Sequence, residues 1–186
     1  MAERYEHLVR FSIPLRKRMA EFKWQPERPL EHLLQQLEIR GINVVADNVL
    51  SQEDSYSQPR FGLTVLCSGR PPLAYINLLK HNNSSCNELD AATLFDTVAH
   101  EAVHATAVAL GRHEELPEKQ DSDEYFLEEV CAHIGAGEIN QRLGFPLQAQ
   151  RNRFEANMFQ LSLAQKTAFN VACARGIDAA NYLVPR

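Results

Sequence analysis

At Asp90 the chain changes character, and that change decides which folds are open to it. Before it, INVVADNVL, FGLTVLCS and LAYINLL are short runs of β-branched, aromatic and aliphatic residues, parted by polar or Gly/Pro-containing breaks. After it, almost every segment carries a helical pattern. Strands first and helices after make an α+β layout, not an alternating parallel one. Residues 42–80 are therefore expected to hold about three strands as a small antiparallel sheet, and residues 90–186 to be mostly helical. At 186 residues the chain fits one domain, 1–186, with enough length to bury a core.

The helices are bounded by recognisable signals. Asp90 is an N-cap for AATLFDTVAHEAVHATAVAL, which Gly111 stops. A polar loop follows, and then EYFLEEVCAHIGAGEINQRL, capped by Ser122 or Asp123 and ended at Gly144. QAQRNRFEANMFQ and SLAQKTAFNVACARGIDAANYL read as two further helices, with Phe154, Met158, Phe159 and Phe169 as core residues. Upstream, LEHLLQQLEIR puts Leu30, Leu33, Leu34 and Leu37 on one side and meets Gly41 as its stop. The charged stretch to about residue 23 patterns as helix interrupted at Pro14.

Charge and cysteine content narrow the function classes. A net charge of −5 argues against general nucleic-acid binding. Residues 1–28 run the other way, with Arg4, Arg10, Arg16, Lys17, Arg18, Lys23 and Arg28 against four glutamates. That segment is read first as a solvated face and second as a polyanion contact. Cys67, Cys86, Cys131 and Cys173 form no C-x-x-C pair, so no zinc ribbon or thioredoxin-like site is expected. With no apolar signal run and no window long enough to span a membrane, the chain reads as cytoplasmic with reduced thiols; export by a signal-less route fits equally.

The chemistry concentrates in HEAVH, residues 100–104. On a helix, residues four apart share a face, so His100 and His104 can present two imidazole nitrogens to one metal ion. Glu101 stands just aside, where a carboxylate can hold a metal-bound water and take its proton. A catalytic zinc needs a third protein ligand from another element. Glu128 and Glu129 begin 24 residues beyond His104, among Phe126, Leu127, Val130, Ile134 and Ala136. Carboxylates in so apolar a setting are explained by a cation facing them. The plainer alternative, polar histidines on an exposed helix and a solvated glutamate edge, loses weight because both halves occur together. In the joining loop, Arg112 and His113 are candidates to stabilise an oxyanion, as is Tyr125 at the start of the second helix. LAYINL is a candidate edge for pairing with an extended peptide. His7, His32 and His81 have no partner at metal spacing.

LFDTVAHEAVHATAV, a polar loop with an arginine, and EYFLEEVCAHIGAGEI together resemble the zincin-like metallopeptidase domain of ArdC-type antirestriction proteins, found also in polyvalent proteins of phages and plasmids. The likeness covers residues 90–145, extends more loosely to AQKTAFNVACARGIDAANYL, and does not reach residues 1–70. It implies a zincin-like fold and a gluzincin-type Zn²⁺ site: His100 and His104 as ligands, Glu101 as general base, a glutamate of the second helix as third ligand. Related zincins place that ligand in an E-x-x-A register, which Glu129 fits and Glu128 does not. Where those relatives carry an acidic or amide residue, this chain has His133, a candidate to orient a ligand, touch substrate or join the metal.

Three functions follow as expectations. The first is a zinc-dependent metallopeptidase acting on a protein or peptide. The second is an antirestriction or nucleic-acid-linked protein that keeps the zincin fold without robust peptidase activity. The third is a phage, plasmid or secreted effector protease with one host target. No membrane partner is expected, and oligomeric state is left open.

Overall fold

The computed structural model describes residues 2–47, 61–78, 82–83, 88–113, 116–117, 122–145 and 163–186. The expected helix over 148–160, with Phe154, Met158 and Phe159, lies outside them, as do His81 and Cys86. Helix α1 (Ala2–Phe11) leads into a three-residue strand β1 (Ser12–Pro14) and then α2 (Leu15–Glu21). Helix α3 (Arg28–Ile39) starts with a proline in its first turn, and Gly41 turns the chain at φ 68°. Strands β2 (Asn43–Asp47), β3 (Gly62–Val65) and β4 (Leu73–Ile76) follow, then a two-stranded ribbon of β5 (Asn82–Asn83) and β6 (Glu88–Leu89). Among the described residues three long helices follow: α4 (Ala91–Ala105), α5 (Asp123–Leu143) and α6 (Leu163–Leu183). The class is α+β, mostly helical around one small mixed sheet.

The sheet corrects two expectations. Its order is β1-β2-β4-β3, so it has a fourth strand, and β2 runs parallel to β4 while the other pairs are antiparallel. Alternating hydrophobicity reports which face a strand buries and is silent on the direction of its partner. Strand β1 escapes the pattern because three residues ending in proline carry no period, and proline suits an edge. LAYINL also proves not to be an edge: β4 lies inside the sheet, and the edge beside α4 is β3.

Alternation along the strands sorts side chains into two layers. Leu73 and Val65 point to the side covered by Tyr5 of α1, whose hydroxyl donates to the Pro71 carbonyl at 3.0 Å. Ala46, Ile76 and Val44 face the main core, a cluster that runs from Leu15 to Val184. Helix α4 sits inside that core, burying Leu94, Phe95, Val98, Ala99, Ala102 and Val103. Phe95 stacks on Phe145 with ring centroids 4.4 Å apart.

Helices α5 and α6 make the broadest helix contact. They approach to backbone distance where Gly135 meets Gly176: a Cβ on Gly176 would lie 2.5 Å from the Cys131 carbonyl oxygen and 2.9 Å from the Gly135 nitrogen. Backbone cannot swing aside as a side chain can, so Gly176→Ala is expected to cost about 1–3 kcal/mol or more. Denaturant unfolding measures it, and an unchanged midpoint would show that the two helices separate freely.

The basic N-terminal segment is partly neutralised from within. Arg16 pairs with Glu31 and Glu38, each at 3.0 Å, and Arg18 with Glu21 at 2.8 Å. Cys67, Cys131 and Cys173 are free thiols, and burial pushes Cys131 up to about 12. Among the described residues no helix is long and apolar enough to cross a membrane.

Candidate metal centre

Helix α4 begins as its sequence dictates, with the Asp90 side chain accepting from the Thr93 amide at 3.0 Å. It ends earlier than Gly111. The Thr106 hydroxyl donates back to the Val103 carbonyl at 2.7 Å, and the α-helix gives way to turns after Ala105. Gly111 then reverses the chain at φ 64°, with the Arg112 amide donating to Ala107 O at 2.8 Å. That reversal brings the Arg112 side chain back over the end of α4.

Helix α5 starts at Ser122, whose hydroxyl accepts from the Tyr125 amide at 3.1 Å, and closes at Gly144 in the left-handed region. Tyr125, Glu129 and His133 recur at intervals of four on one of its faces. Packing of α5 across α4 brings His100, His104 and Glu129 together. His100 Nε2 lies 3.1 Å from His104 Nε2, 3.4 Å separates His100 Nε2 from Glu129 Oε2, and 3.5 Å separates His104 Nε2 from Glu129 Oε1. Ligands bound tetrahedrally at zinc distances stand about 3.3 Å apart. The separations here are close to that length, with one Glu129 oxygen beside each imidazole nitrogen. His133 stacks edge-on against His100 with centroids 4.6 Å apart, and donor atoms of His100, Glu129 and His133 all lie within 4.8 Å of one another.

Glu128, one step round the helix, points elsewhere. Its Oε1 is 3.1 Å from His104 Nδ1 and 3.1 Å from Arg112 Nη2, and its Oε2 is 3.4 Å from His113 Nε2. Arg112 also donates from Nη2 to Val103 O at 2.7 Å and from Nη1 to Thr106 Oγ1 at 3.1 Å. Arg112 and His113, the loop candidates for an oxyanion contact, both lie against Glu128 on the Nδ1 side of His104. Tyr125 is half-buried in the first turn of α5.

The electrostatics follow from this packing. Burial alone would push His104 down, but the hydrogen bonds to Glu128 and Glu129 outweigh it and raise the ring to about 10. Burial raises Glu129 and Glu128 less than their partners lower them, so both carboxyls fall below the usual range: Glu129 through His100 and His104, Glu128 through His104 and Arg112. His133, unlike His104, is lowered, to about 4, because burial and the neighbouring His100 both disfavour its charge.

Two residues of this site carried no sequence signal. Thr64 Oγ1 on β3 donates to Glu101 Oε2 at 2.6 Å and lies 2.9 Å from the Glu101 carbonyl. Gly62, two residues earlier on the same face, leaves room for that side chain: a Cβ there would lie 2.7 Å from Glu101 Cγ and 2.7 Å from its Oε1. The period of two in FGLTV was visible in the sequence, yet nothing local says that this face lies under α4. The chain matches no protein-family model, no curated protein and no solved structure.

Proposed function

We propose that the chain is a zinc-dependent metallopeptidase that holds one ion on His100 Nε2, His104 Nε2 and the Glu129 carboxylate. The observation that carries this reading is the convergence of three side chains with ligating atoms: the two imidazole Nε2 atoms stand 3.1 Å apart, and each has a Glu129 carboxylate oxygen within 3.5 Å. Three protein donors leave a fourth position open, the pattern of catalytic rather than structural zinc. A zinc ion there supplies Lewis acidity, making water a nucleophile near neutral pH and polarising a carbonyl. Glu101 is the general base: it takes the proton of the attacking water and returns it to the leaving amine. Thr64 and Gly62 hold that carboxylate in place from the sheet side. His133 lies against the His100 ring on the open side of the cluster, where it is placed to orient a ligand, touch substrate or join the ion.

Purified protein is expected to carry about one zinc per chain, removable by chelators. The measurement is elemental analysis of the wild-type chain beside a His100→Ala, His104→Ala double variant. Unchanged metal content in that variant would overturn the assignment.

A further inference from the structure

We infer that Glu128, held by Arg112, is a positioning residue that fixes the ring of His104 and so sets how tightly the ion is retained; this rests on the metal reading above. The Arg112 and Glu128 side chains are only 2% and 4% exposed, so the pair is no surface salt bridge. A buried carboxylate is costly unless charged and hydrogen-bonding partners converge on it, and here three do: His104, Arg112 and His113.

Each partner has a separate consequence. A carboxylate only accepts, so His104 Nδ1, 3.1 Å from Glu128 Oε1, is the ring nitrogen that carries hydrogen. In the neutral ring this leaves Nε2 bare, on the side of His100 and Glu129. Carboxylate–histidine–metal chains orient ligands in this way and raise their basicity. A guanidinium beside a cation site would by itself weaken cation binding. Arg112 is spent instead: it faces Glu128 at 3.1 Å and bonds Val103 O and Thr106 Oγ1, which flank His104 along the chain. The guanidinium thus gives the buried carboxylate a partner and ties the end of α4 to α5 at the residue that Glu128 positions.

The test compares zinc release to a chelator from wild type, Glu128→Gln, Arg112→Met and the double variant. The visible spectra of their cobalt(II) forms and thermal unfolding of the metal-free chains are recorded beside it. Each single variant is expected to release zinc about 10- to 100-fold faster, the usual cost of losing such a partner. The cobalt band should shift in Glu128→Gln, and Arg112→Lys, which keeps the charge, should recover part of the loss and serves where Arg112→Met does not fold. The double variant should be no worse than Glu128→Gln alone, because a neutral amide needs no counter-charge. Equal release rates and superimposable cobalt spectra across wild type and single variants overturn the positioning role while leaving the metal site standing. An Arg112→Met effect of the same size in the Glu128→Gln background overturns the action of Arg112 through Glu128. A wild-type chain that takes up neither zinc nor cobalt overturns the metal site and the inference together.

Discussion

Replacing Glu101 with glutamine should lower peptide hydrolysis by about 10²- to 10⁴-fold while zinc content stays near one per chain. The two halves of this expectation come from different contacts. Retained metal follows if the proposed donor set is His100, His104 and Glu129, which converge without Glu101. Lost turnover follows because an amide cannot take up the proton that a carboxylate takes from water. Folding should survive: glutamine fills the same space against Gly62, and its amide oxygen accepts from the Thr64 hydroxyl as the carboxylate does at 2.6 Å. Cleavage is read on a proteome-derived peptide pool with wild-type protein as the reference. If Glu101→Gln bound zinc normally and kept full biological activity, hydrolysis would not be the function. The antirestriction or nucleic-acid-linked reading would then lead. The pairing of Arg16 with Glu31 and Glu38 offsets part of the positive charge of α2 on which that second reading would draw.

Legibility in the sequence tracked how local each feature is. The pairing of His100 with His104 is written in a spacing of four, and the caps at Asp90, Ser122 and Gly144 are single-residue signals; all appear in the structure. The resemblance, not the local pattern, points to Glu129 rather than Glu128, and Glu129 lies within 3.4 and 3.5 Å of the two histidines. Features that depend on which elements meet were hidden. Thr64 reaches Glu101 across 37 residues, and no pattern on β3 announces that α4 lies over it. The parallel pairing of β2 with β4 was hidden for the same reason, since a strand's own residues carry its face and not its neighbour. Arg112 illustrates a third case. In sequence it is a charged residue of a polar loop, for which exposure is the ordinary outcome. A hydroxyl back-bond at Thr106 and a left-handed Gly111 shorten the helix and fold the guanidinium inward, where Glu128 offsets its charge.

Glu129→Ala should strip zinc far more severely than Glu128→Ala, although the two residues are neighbours. Successive residues on an α-helix point about 100° apart, so two adjacent carboxylates cannot both face one ion. The structure divides them accordingly: both Glu129 oxygens approach imidazole Nε2 atoms, whereas the Glu128 oxygens lie against His104 Nδ1, Arg112 and His113. Removing Glu129 takes away the carboxylate that faces both imidazoles and leaves histidines alone around the ion, so the affinity loss should exceed the 10- to 100-fold typical of a ligand's supporting partner. Removing Glu128 keeps all three donors and should stay within that range, as His104 loses only the group that aims it. Competition against a chromophoric chelator at fixed pH measures both variants on one scale. The opposite ranking would place the ligand one residue earlier on α5 and turn the face carrying Tyr125, Glu129 and His133 away from the ion. Equal losses would mean that the ion tolerates either carboxylate, which the buried Glu128–Arg112 pair argues against: freeing Glu128 to reach it would strand a guanidinium in the core.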